Sequence, residues 1–255
     1  MPRPSPSTPR IAGAALAALL ALAAAPGAGA RTVAFAQREV AGPARMAAVD
    51  VGTRAATRFV VRAGDTPVRS GERTERVASV AQTGARPGAD RVYRWSTRFP
   101  LSFTPVPNST WNIFTQWHGS APDGCHPNIA LQVNTQLSPP MLRLQVRGGA
   151  LGAGCAPQQS RSWDFAPLRR GRWEDLALHV GWSDHPGGGY VALTLDGRTV
   201  VPRTALATLY AGQRAYLKQG FYRAPSPWTT TVLHSAVTLA DDGDGARAGA
   251  AADRP

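Results

Sequence analysis

Lysine is almost missing from this 255-residue chain: Lys218 is the single example, and arginine supplies the rest of the 28 basic residues. Acidic residues are few as well, 16 in all, which leaves a formal net charge of +12. A surface of that sign admits polyanions of any kind, so nucleic acid, acidic polysaccharide and anionic lipid all stay open. A GC-rich coding sequence would produce the same Arg, Ala, Gly and Pro bias, so composition alone does not choose among them. Cysteine is limited to Cys125 and Cys155, without the C-x-x-C spacing of a metal or redox site. No pair or triplet of His, Asp and Glu has zinc-site spacing. No G-x-S-x-G elbow is present, which argues against a serine hydrolase. Glycoside hydrolysis generally needs two carboxylates flanking the bond. Here no E-x-D-x-x-E strand occurs, and Glu174 and Asp175 are adjacent, so on a strand they point to opposite faces.

The one long apolar run is at the N-terminus. "MPRPSPSTPR" is positively charged, "IAGAALAALLALAAA" follows, and "PGAGA" ends in small residues. That is the pattern of an export signal over residues 1–30, with Ala28-Gly29-Ala30 as the cleavage site and an uncleaved anchor as the alternative. The apolar run is short for a membrane span. Export makes nucleic acid the poorer partner and an extracellular acidic glycan the better one. In an exported chain Cys125 and Cys155 are expected to pair, and such a bridge contributes roughly 2–4 kcal/mol; two unrelated thiols are the alternative.

After residue 30 helical periodicity is missing. Short alternating segments take its place, among them "TRFVVRAG", "RVYRWSTRF", "NIALQVN", "MLRLQVRG", "DLALHVGWS" and "YVALTLDG". They are rich in Val, Leu, Thr and aromatics and are bounded by Gly, Pro, Asn or Asp. "LDGRTV" reads as a hairpin with Asp196-Gly197 at its turn. Many strands without intervening helices predict an all-β, two-sheet sandwich of the concanavalin A-like jelly-roll type. One domain is expected over residues 31–240. The tail, residues 241–255, contains "DDGDG" but no core-forming residues, and is expected to be a solvated tail.

Three segments place polar side chains on a common strand face. In "NIFTQWHG", Gln116 and His118 are two apart, with Phe114 on the same side. In "GERTERVAS", Arg73 and Glu75 are two apart. In "YLKQGFYR", one face carries Tyr216, Lys218, Gly220 and Tyr222. Any one such face is ordinarily turned to water. Together they supply a base, a phenolic acid, cations and an amide, which is the set required for β-elimination on a 4-linked uronic acid. The carboxylate must be neutralised, a base must take the C5 proton, and an acid must protonate the departing O4. A cation near a phenol favours its ionised form, and Lys218 is placed to do that for Tyr222. Gly220 removes a side chain where a sugar would approach the sheet.

"GERTE", "QWH" and "YLKQGFYR", in that order, resemble the jelly-roll polysaccharide lyases, the group containing heparin lyase I, glucuronan lyase and related alginate lyases. "VRAGD", "YRWSTRFP" and "GRWEDLALHVGWS" add to the likeness, which covers roughly residues 50–240. The resemblance implies His118 as catalytic base and Tyr222 as acid, or Tyr222 as both. It implies Gln116 and Arg73 as neutralisers of the carboxylate, Lys218 as a substrate-binding residue that tunes Tyr222, and Glu75 as a group that orients Arg73 or contacts sugar. Arg76, where relatives carry an apolar residue, puts the register of its strand in question. Ser235 stands where relatives often have an acid, so a structural calcium ion finds no support. The expectation is a secreted, monomeric lyase of acidic polysaccharide, without organic cofactor, metal, nucleic acid or membrane after signal cleavage. The rival is a lectin-like module that binds acidic glycans and needs no chemistry from His118 and Tyr222. His126 and Asn128 read as parts of a stapled loop, His179 as a structural histidine, His185 as a turn residue, and Trp228 as a candidate for stacking on sugar.

Overall fold

The computed structural model describes residues 29–66, 75–120 and 125–241. The expected leader, apart from Gly29 and Ala30, the tail beyond Asp241, and Arg73 lie outside the described residues. The described chain is almost wholly β. In order, β1 (Arg31–Thr32), β2 (Gln37–Glu39), β3 (Met46–Val51), β4 (Arg54–Val61), β5 (Glu75–Ala85) and β6 (Asp90–Arg98) come first. β7 (Asn112–Gly119), β8 (Ile129–Asn134), β9 (Met141–Leu151), β10 (Pro157–Pro167) and β11 (Trp173–Gly181) follow. β12 (Gly189–Leu195), β13 (Arg198–Leu206), β14 (Ala215–Arg223), β15 (Thr230–His234) and β16 (Thr238–Asp241) complete the series.

These strands form two antiparallel sheets. One runs β10-β9-β8-β7-β14-β5-β2; the other runs β13-β12-β11-β6-β15-β4-β3, with β16 beside β6 and β1 on β16. The jelly-roll expectation holds. Period-two patterning explains the layering: in β9, Leu142, Leu144 and Val146 point inward while Arg143, Gln145 and Arg147 point out. Large rings fill the space between the sheets. Phe99 meets Phe103 and Phe114 edge-on, and Phe103 meets Phe221 likewise, each such pair adding roughly 0.5–1.5 kcal/mol beyond its buried area. The β12–β13 hairpin turns at Asp196-Gly197, both with positive φ (50° and 77°), the conformation that dipeptide favours. "TVLHSAVTLA", by contrast, breaks into β15 and β16.

Cys125 and Cys155 are joined by a disulfide, as expected. It ties the segment before β8 to the short turn after β9.

Strand β14 determines where the chemistry sits. It comes late in the chain yet lies inside its sheet, between β5 and β7. Opposite the β7 residues Ile113 to Thr115, β14 carries an extra residue between Gln219 and Tyr222. The irregularity belongs to β7, which also shifts against β8 between Ile113 and Thr115 while β14 keeps unbroken register with β5 from Leu217 to Arg223. Phe114, expected beside Gln116 and His118, instead packs into the core against Phe99 and the His234 ring, and Ile113 takes the outer face. Gly220 is required by the strand itself. A Cβ there would run into the carbonyl oxygen of Val77 and lie 2.7 Å from Ala78 Cα on β5. The close approach of β5, rather than that of a sugar, dictates glycine at this position.

Candidate active site

The outer face of the seven-stranded sheet carries a cleft lined by Arg76, Ala78, Gln116, Lys218, Gly220 and Tyr222. Its polar rows follow from register. On β7 and β14, Lys218 is opposite Gln116, and Tyr216 is opposite His118. The His118 and Tyr216 rings have centroids 5.8 Å apart and are tilted by 30°. The Lys218 ammonium lies 5.5 Å from the centre of the Tyr216 ring. His118, Gln116, Lys218 and Tyr216 therefore form one compact group across two neighbouring strands.

Tyr222 does not join it. Its partner on β7 is Ile113, five positions from His118, which at roughly 3.3 Å per residue places it about 16 Å along the strand. Register thus sets Tyr216, rather than the expected Tyr222, directly opposite the imidazole, with both phenols on the same face of β14. Tyr222 instead stands at the far end of the cleft, with the Arg76 guanidinium 5.3 Å from its ring centre and Trp111 edge-on at 5.5 Å.

Glu75 is not placed to contact sugar, and its other expected role, orienting Arg73, involves a residue outside the described ones. Glu75 is 3% exposed and faces away from the cleft. Its carboxylate pairs with Arg223, Oε2 to Nη2 at 2.8 Å. It also accepts the backbone N–H of Gly64 at 2.6 Å and that of Ser226 at 3.3 Å. Arg223, wholly buried, donates in addition to Thr230 Oγ1 and to the Trp228 carbonyl. Burial pushes the Arg223 pKa down, against the pull of Glu75. This network fastens the chain after β14; it does not reach substrate. One residue on, Arg76 pairs with Tyr222 across β5 and β14 and does face the cleft.

His118 is tuned as a base. Burial is the main cause that lowers its pKa below the ordinary histidine value, and the Lys218 charge adds to it; the carbonyls of Gly119 and Cys125 and the Glu39 carboxylate oppose. Nδ1 donates to the Gly119 carbonyl at 2.9 Å, because a carbonyl oxygen can only accept. In the neutral ring that leaves Nε2 with the free lone pair. Gln116 is 4% exposed, and its Oε1 has no hydrogen-bond partner among the described residues. An amide with open capacity at a cleft wall is suited to a ligand's polar group.

Glu39 had no place in the sequence reading. It lies on the edge strand β2, and its carboxylate reaches Lys218 Nζ at 2.7 Å and Arg76 Nε at 2.8 Å. No local pattern marks it, since the pairing of β2 with β5 brings it there. His179 is structural, as expected: on the other sheet, its Nε2 lies 2.7 Å from Asp90 Oδ1 and 2.6 Å from the Tyr190 hydroxyl. His185 is in an exposed turn, and the half-exposed Trp228 gives its carbonyl to Arg223. Among the described residues no group of three or more His, Cys, Asp and Glu is placed to hold a metal ion.

The fold recurs in solved lyases. An endo-β-1,4-glucuronan lyase from the fungus Trichoderma reesei superposes with a TM-score of 0.63 at 16% identity, over 85% of this chain and 96% of that one. An alginate lyase solved with an alginate trisaccharide gives 0.55 at 13% identity, over 81% and 88%. The alginate lyase of Klebsiella pneumoniae gives 0.55 at 12%, over 77% and 84%. At these identities the likeness is one of fold. No curated protein matches in sequence. The polysaccharide lyase family model, however, matches residues 41–238, most of the chain and every element of the cleft except Glu39 on β2. This chain belongs to the polysaccharide lyase family.

Proposed function

We propose that the protein is an exported lyase that cleaves a 4-linked uronic-acid polysaccharide by β-elimination, with His118, Tyr216 and Gln116 as its chemical centre. The observation that carries the reading is the cross-strand row that sets Tyr216 opposite His118, with Gln116 and Lys218 in the adjoining row. Gln116 donates from its amide to the uronate carboxylate and disperses the charge that develops as C5 is deprotonated. His118, held uncharged, accepts the C5 proton at Nε2. The C5–H electron pair forms the C4=C5 double bond, the C4–O4 bond breaks, and the Tyr216 phenol protonates O4. Where H5 and O4 lie on one face of the ring, Tyr216 is positioned to serve both steps. Lys218 binds substrate beside Tyr216. Tyr222, Arg76 and Trp111 form a platform for a more distant sugar. The signal-like N-terminus and the Cys125–Cys155 bridge support export into an oxidising compartment.

The test is incubation with glucuronan, alginate, heparin, hyaluronan and pectate, following the unsaturated product at about 235 nm, the band expected of a conjugated alkene from this acid–base step. Tyr216→Phe and His118→Ala should each lower kcat by roughly 10²-fold or more, while Tyr222→Phe should act mainly on KM. Loss of turnover in Tyr222→Phe with full turnover in Tyr216→Phe would overturn the assignment. Binding across the panel without any product would mark a lectin.

A further inference from the structure

Two arginines point outward from β9, and register gives them different surroundings. Arg143 is opposite Asp164 on β10, and the two side chains join in a fork, Nε to Oδ1 at 2.9 Å and Nη2 to Oδ2 at 2.6 Å. Arg147 is opposite Ser160 instead. Among the described residues its guanidinium meets no carboxylate: Nη1 donates a long hydrogen bond, 3.4 Å, to the Pro127 carbonyl, and the titratable groups that feel its charge are His126 and Tyr210. Neither is an anion at neutral pH, since His126 is a base and burial raises the Tyr210 pKa above its ordinary value. Burial lowers the Arg147 pKa, as it does for a cation taken partly out of water, and the Tyr210 phenol opposes it weakly. A half-buried cation in that condition costs free energy until a ligand supplies the anion.

Arg147 also stands in the row of the reaction centre. Trp117, Ile129 and Val146 are directly opposite one another on β7, β8 and β9. One step on, alternation brings His118, Asn128 and Arg147 into the next row, on the outer face, and the Arg147 N–H donates to the Asn128 carbonyl at 2.6 Å. Tyr216 extends this row on β14. Two strand spacings separate β9 from β7, about 10 Å. The segment held by the disulfide lies against both side chains: the Cys125 carbonyl acts on His118, and the Pro127 carbonyl receives Arg147.

We propose that Arg147 is a substrate-binding residue: it takes the carboxylate of a second uronate in the polymer, beyond the sugar held at His118, Tyr216 and Gln116. This rests on the reading of the site as a uronan cleft and gives the bound chain a direction, along the row from β14 to β9. The guanidinium has the planar fork that a carboxylate matches with two parallel N–H···O bonds. The sugar it holds does not react, so its contact is the same before and during the elimination. Its contribution therefore falls on KM and leaves kcat in place.

The probes are hexasaccharides of glucuronan and of alginate, each also prepared with its carboxylates reduced to alcohols. Turnover is followed by the unsaturated product, and binding by calorimetry at fixed salt in the His118→Ala background, which removes the base. Arg147→Gln should raise KM about tenfold or more, the worth of a charge-assisted contact, with kcat held within about twofold. Binding of the native probe should weaken by the same factor. Binding of the reduced probe should not change, since an alcohol gives the guanidinium no anion to hold. Arg147→Lys keeps the charge without the fork and should fall between wild type and Arg147→Gln. Arg198→Gln removes an exposed charge from the other sheet and should leave KM at the wild-type value, which separates a local contact from the general attraction of a basic surface. Thermal melts identify a variant that fails to fold, and if Arg147→Gln does, the KM of Arg147→Lys decides. Unchanged KM in the folded variant, or equal losses on the native and reduced probes, overturns this inference and leaves the lyase reading standing. Failure of the wild-type chain to bind or cleave either native probe overturns both.

Discussion

His234 makes the protein acid-sensitive in a way that can be worked out from its surroundings. It lies between the two sheets, wholly buried, with Phe59 edge-on at 5.5 Å and Phe114 nearly parallel at 6.4 Å. Nε2 donates to the Gly220 carbonyl at 3.0 Å, under the floor of the cleft. Nδ1 lies 3.0 Å from Thr97 Oγ1, which itself receives the Trp95 indole N–H at 3.1 Å. Thr97 is thus free to donate its own proton to Nδ1, and the relay from Trp95 to Gly220 satisfies every group only if the imidazole is neutral. Burial holds the pKa down at about 4, against a small upward pull from the Gly220 carbonyl. The unfolded chain titrates this group near 6.5. Between those values the unfolded state binds a proton that the folded state refuses, so stability is complete above about 6.5 and is lost as pH falls toward 4. At about 1.4 kcal/mol per unit, the loss from pH 7.5 to pH 4 is about 3 kcal/mol, a large share of a typical 5–15 kcal/mol. Urea unfolding of wild type and His234→Gln at both pH values isolates the effect, because the other titrating groups cancel in the double difference. The wild type should lose about 3 kcal/mol more than the variant. Equal losses would refute the argument that this imidazole is kept uncharged.

The remaining predictions concern the cleft and its support. Because burial lowers the His118 pKa, the base stays unprotonated further into acid, so the acidic limb of kcat/KM should fall below pH 6.5, the ordinary histidine value; a limb above it would show that another group is the base. Glu75→Gln strips the buried Arg223 of its counter-ion and should cost about 3–5 kcal/mol in urea unfolding; a loss below about 1 kcal/mol, the range of an exposed pair, would restore the view of Glu75 as a solvent-facing substrate residue.

The pleat explains both what was legible in the sequence and what was not. Period-two alternation in "MLRLQVRG" and "DLALHVGWS" reports which side chains are buried, and it suffices for an all-β sandwich. The same rule correctly places Tyr216, Lys218 and Tyr222 together on one face. It contains no information on which residue of a neighbouring strand stands opposite each of them: Tyr216 is opposite His118, and Tyr222 opposite Ile113. Glu75 misled for a related reason: one step along a strand reverses the facing, and the residue that meets the cleft is Arg76. Phe114 was misplaced because an irregularity in β7 between Ile113 and Thr115, invisible locally, re-aims the strand.

The amino-acid sequence by itself determined the fold class, the disulfide partners, the Asp196-Gly197 turn and the kinds of chemical group available. Tertiary structure alone decided that Tyr216 faces His118, that Glu39 reaches Lys218 and Arg76, and that His234 supports Gly220 from beneath. The physical reason is that facing within a strand follows from local alternation, whereas proximity across a sheet depends on register between segments far apart in the chain, as Glu39 and Lys218 are, at 179 positions.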